Sequence, residues 1–181
     1  MPINDFLAAR RRGRRALAVA WTALIAVLAC LAIFIPLRAH AAADCSVTVT
    51  GVAFGTYDPT ISAADDSTGT VNVTCTYTGG GATGIAYSVR FSRGSSNSYS
   101  QRQMRAGTLS LNYNLYRDAA RSVVLGDGTG GTSIFSGSFT VGPGVGNRTR
   151  TGTHTVYGRV PASQPVDPGS YSDPIVVTLT F

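Results

Sequence analysis

After residue 43 the apolar side chains recur at every second position in short runs, and no stretch shows the three-to-four spacing of a helix. Alternation with period two marks strands with one buried face. Cys45, Val47 and Val49 share a face of a first strand, and Val71, Val73, Cys75 and Tyr77 share a face of a second. Further strands are predicted over 85–92, 109–117, 133–141, 154–160 and 174–181. In the second of these, Leu109, Leu111, Tyr113 and Leu115 alternate with Ser110, Asn112, Asn114 and Tyr116. The stretches TGGGATG, GDGTGG and VGPGVGNR between strands are rich in glycine, which supplies the positive φ angles of turns. Roughly seven short strands in a domain of this size predict an all-β, two-sheet sandwich, most simply immunoglobulin-like.

The chain ends on PIVVTLTF, with Ile175, Val177, Leu179 and Phe181 on one face and Val176, Thr178 and Thr180 on the other. A strand edge left bare presents rows of unpaired N–H and C=O groups, which proteins normally cover or blunt. What covers this last strand is the question the sequence poses.

Ahead of residue 44 the pattern changes. Five arginines at 10, 11, 12, 14 and 15 precede an apolar run from Ala16 to Leu37, then Arg38 and the small residues Ala39 to Ala43. That order is the charged, apolar and small-residue sequence of a secretory signal, so residues 1–43 read as a leader. The run of 22 residues is also long enough to span a bilayer as an uncleaved anchor; Pro36 and two Ala-x-Ala sites favour cleavage. Cys30 lies inside this apolar core and reads as a leader residue.

Removing the leader changes the charge picture. The whole chain carries a net charge of +6, yet residues 44–181 hold nine arginines, eight aspartates, no lysine and no glutamate. No basic stripe remains to support nucleic-acid binding, and contact with a membrane is expected only through the leader. Cys45 and Cys75, alone in an exported domain, read as a disulfide. Both point where their strands' apolar residues point, and they close a loop rated at roughly 3 to 4 kcal/mol.

Candidate chemistry is sparse. His154 is the domain's sole histidine and is expected to be exposed at a strand start, and no Gly-x-Ser-x-Gly elbow supports a hydrolase. None of the glycine-rich loops is followed by the Lys-Ser or Lys-Thr of a phosphate loop. Asp65-Asp66 and GDGTGG offer too few oxygens for calcium. No catalytic residue, metal or cofactor is predicted. The eight tyrosines suit a binding surface and a strand interior equally well.

Taken in order, VAFGTYDP (52–59), TGTVNVTC (68–75), RQM (102–104), LNYNLYRDA (111–119), GDG (126–128) and the ending VYGRVPASQPVDPGSYSDPIVVTLTF resemble the spore coat protein U domain across 45–181. Leu125 stands where the resemblance leads one to expect tryptophan. Members of that family include spore-coat components and subunits of archaic chaperone–usher pili. The resemblance implies an incomplete sandwich lacking its last strand, with a hydrophobic groove beside Ile175, Val177, Leu179 and Phe181. A periplasmic chaperone would fill the groove first and a neighbouring pilus subunit later, by strand addition, with an outer-membrane usher assembling the fibre. The protein is then expected in the periplasm in transit and afterwards at the cell surface, in a fibre serving adhesion or biofilm formation. Cleavage near Ala41 or Ala43 leaves little chain before Cys45, which suits a minor or tip-end subunit that accepts a strand without giving one. Earlier cleavage, or a self-complete coat or carbohydrate-binding module, are the alternatives.

Overall fold

The computed structural model describes residues 42–181 apart from 82 and 145, so nearly all of the predicted leader lies outside the described residues. Eight strands follow in chain order: β1 (Ala42–Thr50), β2 (Asp65–Thr78), β3 (Thr83–Phe91), β4 (Arg102–Ala106), β5 (Leu109–Tyr116), β6 (Phe135–Val141), β7 (Arg148–Val160) and β8 (Val177–Thr180). They form two antiparallel sheets, one ordered β1-β2-β7-β5-β4 and the other β6-β3-β8. This is the expected immunoglobulin-like sandwich. Among the described residues, no strand pairs with the edge of β8 that faces away from β3.

The period-two pattern explains the core. Val71, Val73, Cys75 and Tyr77 of β2 are fully buried and meet Tyr87, Val89 and Phe91 of β3 and Leu111, Tyr113 and Leu115 of β5. Burying such side chains stabilises the fold by about 1.5–3 kcal/mol each. The intervening residues of β2 face outward, where Thr74 and Thr76 share hydrogen bonds with Thr151 and Thr149 of β7 at 3.1 and 3.3 Å. Cys45 and Cys75 stand directly opposite each other in the β1–β2 ladder and are joined by a disulfide.

Several elements depart from the sequence expectation. β7 begins at Arg148 rather than at residue 154, because its first half carries threonine outward and Arg148, Arg150 and Gly152 on the other face, leaving no apolar alternation to read. β4 was not expected as a strand, since its inward position is occupied by Arg102. The last strand pairs only over Val177–Thr180; Pro174 has no N–H to give a ladder.

His154 consequently lies inside a strand rather than at its start, and it is half-buried rather than exposed. Its ring stacks on Phe135, with centroids 4.6 Å apart. All eight tyrosines are buried or half-buried; Tyr77, Tyr87 and Tyr113 belong to the core, whereas Tyr116 and Tyr157 face each other on the outward side of β5 and β7. Asp66, one of the weighed calcium oxygens, is taken by Arg159, whose Nε and Nη2 donate to its two oxygens at 2.7 and 2.8 Å.

Candidate functional site

The alternation at the C terminus reaches further back than the paired strand. Tyr171, Asp173, Ile175, Val177 and Leu179 are half-buried, while Ser172, Pro174, Val176, Thr178 and Thr180 are exposed. One continuous inward row therefore runs through the terminal segment, apolar except at Asp173.

This row walls a cavity of about 310 Å³. The opposite wall is the end of β1 and the loop after it, through Val49, Val52 and Phe54, and the floor includes Phe91, Met104 and Leu115. A second cavity of about 610 Å³ shares Val52, Phe54, Met104 and Tyr171 and continues to Leu111 and Val166. The first cavity is a largely apolar trough between β8, with the segment leading into it, and the β1 side of the larger sheet, and the second continues it past Tyr171 to the more polar loop residues Thr56 and Asp167. The far wall is set by a glycine. A Cβ on Gly158 would lie 2.6 Å from Val52 and 2.7 Å from the Phe54 ring, so only the bare backbone lets that loop settle onto β7. Phe54 then meets Tyr113 edge to face, at 6.0 Å.

Polar contacts hold the near wall. Ser172 and Arg105 exchange both backbone hydrogen bonds, at 2.8 and 3.1 Å, tying the segment to β4. Past Pro174 it switches sheets: the Val176 N–H donates to Ser92 Oγ and the Ser92 N–H to the Val176 carbonyl, both at 2.9 Å. At the switch Asp173 accepts from the Ser95 N–H and Oγ and from the Tyr113 hydroxyl, each at 2.7 Å. Burial, and then the hydrogen bond to Asp173, push the Tyr113 hydroxyl well above its ordinary pKa, so it remains a neutral donor.

Beneath this joint lies Arg102, fully buried. Its guanidinium donates to the Ser92 and Leu125 carbonyls and to Asn114 Oδ1, at 2.7 to 3.3 Å, and it sits over the Tyr99 ring. Burial lowers its pKa, opposed by nearby Tyr113, Tyr99 and Asp173; a guanidinium stays charged in proteins regardless. Leu125, also fully buried, thus serves both as core and through its carbonyl.

The predicted groove residues divide. Ile175 and Val177 line the cavity, Leu179 packs against the core without lining it, and Phe181 is 55% exposed. Phe54 and Met104 were not singled out by sequence reasoning, and Tyr113 only as an apolar-face strand residue, although each falls within a motif that carries the family resemblance. Asp173 gave a signal only if the alternation was followed back through Pro174. Among the described residues no group of three or more His, Cys, Asp or Glu side chains could hold a metal.

Fold and trough together define an immunoglobulin-like sandwich in which the open edge of β8 stands beside a largely apolar channel. The chain belongs to the Spore Coat Protein U domain family, whose model matches residues 32–178. It is 34% identical over 135 residues to Protein U of Myxococcus xanthus, covering 71% of this chain and 70% of that protein. It is also similar in fold to a chain of the CsuC–CsuE chaperone–tip adhesion subunit pre-assembly complex from the archaic chaperone–usher Csu pili of Acinetobacter baumannii. The TM-score is 0.50 at 19% identity, over 77% of this chain and 40% of that one.

Proposed function

We propose that this protein is a non-enzymatic structural subunit of a secreted surface fibre, and that it works by accepting a β-strand from another protein into the trough. The observation that carries the proposal is the unpaired edge of β8 standing beside a channel lined by Ile175, Val177, Val52 and Phe54. Strand addition there would satisfy the free backbone groups of β8 while alternate side chains fill the apolar floor. A periplasmic chaperone is the first occupant and a neighbouring subunit the second, with an outer-membrane usher between them. Family membership and the fold shared with a chaperone-bound pilus subunit support this reading.

The same reading places the product in the periplasm in transit and then on the cell surface. A minor or tip-end position follows if export removes the chain up to residues 41–43, and sequencing the mature N terminus tests that point. Residues 175, 177, 179 and 181 are assigned to the wall contacted by the incoming strand.

The test is co-expression with an archaic-type periplasmic chaperone. A soluble one-to-one complex is expected, with β8 amides gaining hydrogen-exchange protection and Leu179→Asp abolishing recovery, whereas Thr178→Asp on the outward face has little effect. A monomer that is stable alone and indifferent to the chaperone overturns the proposal and favours a self-complete coat protein.

A further inference from the structure

An apolar trough with similar pockets along its length specifies register poorly, because an alternating strand can slip by two residues and still bury the same face. This trough has one place where slipping matters. In the inward row Tyr171, Asp173, Ile175, Val177, Leu179, the single charged side chain lies off centre, beside the buried hydroxyl of Tyr113.

The carboxylate is built into place. Its three hydrogen bonds come from two directions, Ser95 on the loop after β3 and Tyr113 on β5. Gly94, at φ +68°, gives it room: a Cβ there would collide with the Asp173 side chain. Those three bonds leave roughly one lone-pair position of the carboxylate unused, and both Asp173 and Tyr113 line the cavity. Elsewhere the cavity wall and floor are mostly apolar, through Ile175, Phe54, Met104 and Leu115, with Thr50 and Ser172 also lining it.

We propose that the Tyr113–Asp173 pair fixes the register of the accepted strand by selecting a serine, threonine or asparagine at one inward position, among otherwise apolar inward residues. This inference rests on the strand-accepting reading. A side-chain hydroxyl or amide donates to the free position on the carboxylate, whereas a large apolar side chain seated there removes water from the carboxylate and returns nothing. A slip by two residues places an apolar side chain over Asp173 and the donor over an apolar pocket, so both ends of the mismatch disfavour it. Neither a polar nor a uniformly apolar strand satisfies the trough.

The test extends the full chain past Phe181 with a short Gly-Ser-Asn linker and a designed twelve-residue strand alternating valine and threonine. In a series of variants each inward valine becomes serine in turn, and denaturant unfolding gives the folding equilibrium constant of each. One serine position is expected to raise that constant roughly tenfold over the all-valine strand, and the others to lower it. In Asp173→Leu, or in Asp173→Ala should leucine prevent folding, that preference disappears and the all-valine strand becomes the best. A profile in which serine is disfavoured everywhere, or one unchanged by the Asp173 substitutions, overturns the register assignment while leaving the trough intact. If no appended strand, all-valine included, stabilises the protein, the strand-accepting reading itself is overturned.

Discussion

The Tyr87 hydroxyl lies 3.0 Å from Nε2 of His154, joining the inner faces of the two sheets. Tyr87 fits because glycines stand on both sides of it: a Cβ on Gly137 of β6 or Gly152 of β7 would lie 2.5 or 2.6 Å from its oxygen. Burial raises the Tyr87 pKa, so its hydroxyl stays protonated, and the imidazole tautomer sets which of the two groups donates. Burial first, and then the charge of Arg117, lower the His154 pKa from 6.5. The unfolded chain then binds more protons than the folded one below that value, and stability falls with falling pH until the folded pKa is passed. Urea midpoints are expected to be level above about pH 7.5 and to decline below about pH 6.5. His154→Gln flattens that decline, and an unchanged slope in the variant would remove His154 as its source.

Gly158→Ala is expected to disturb the trough more than the core. The added methyl meets Val52 and Phe54 rather than buried core residues, and forced overpacking of this kind costs about 1–3 kcal/mol. The loop after β1 moves outward to make room, so strand acceptance weakens more than thermal stability does. Chaperone recovery compared with the unfolding midpoint of the complex separates the two effects.

Arg102→Lys is not conservative here. A lysine ammonium cannot reproduce the planar fork that reaches Ser92, Leu125 and Asn114 together, and each buried acceptor left without a donor costs about 1–3 kcal/mol. A loss of about 3 kcal/mol or more is expected by denaturant unfolding. Because the Ser92 carbonyl belongs to the residue that also holds Val176, hydrogen exchange should quicken first in the terminal segment.

Replacing Cys45 and Cys75 together by alanine removes a bond that closes a 30-residue separation and is expected to cost about 3–4 kcal/mol. In the native protein neither sulfur reacts with an alkylating reagent without prior reduction. Labelling of both under native conditions would contradict the bond.

Where one sheet face is apolar, alternation was enough to find the strand: β2, β3, β5 and β6 all announce themselves through Val, Tyr, Phe and Leu at every second position. The pattern failed where another interaction replaced apolar burial. In β4 a cation with four hydrogen bonds holds the most buried position, and in the first half of β7 Arg148, Arg150 and Gly152 take the inward side while the threonines pair outward with β2. His154 was misplaced for that reason, since its strand start was read from the first apolar residue. The trough was half legible: Ile175 and Val177 follow from alternation, but the opposing wall of Val52 and Phe54 comes from a loop laid over Gly158, which local pattern cannot show. Asp173 is legible only as an exception within a row.

The Cys45–Cys75 bond also sets how a fibre subunit would carry tension. If the mature chain keeps a donor segment ahead of residue 45, a pull on it reaches β2 through a covalent link before it reaches the hydrogen bonds that pair residues 46–50 with 70–74. β2 lies between β1 and β7 in the larger sheet, so the load spreads into the interior instead of peeling the edge strand one pair at a time. In a fibre subunit, the wall of the trough that begins at Val49 would thereby be kept in place under load.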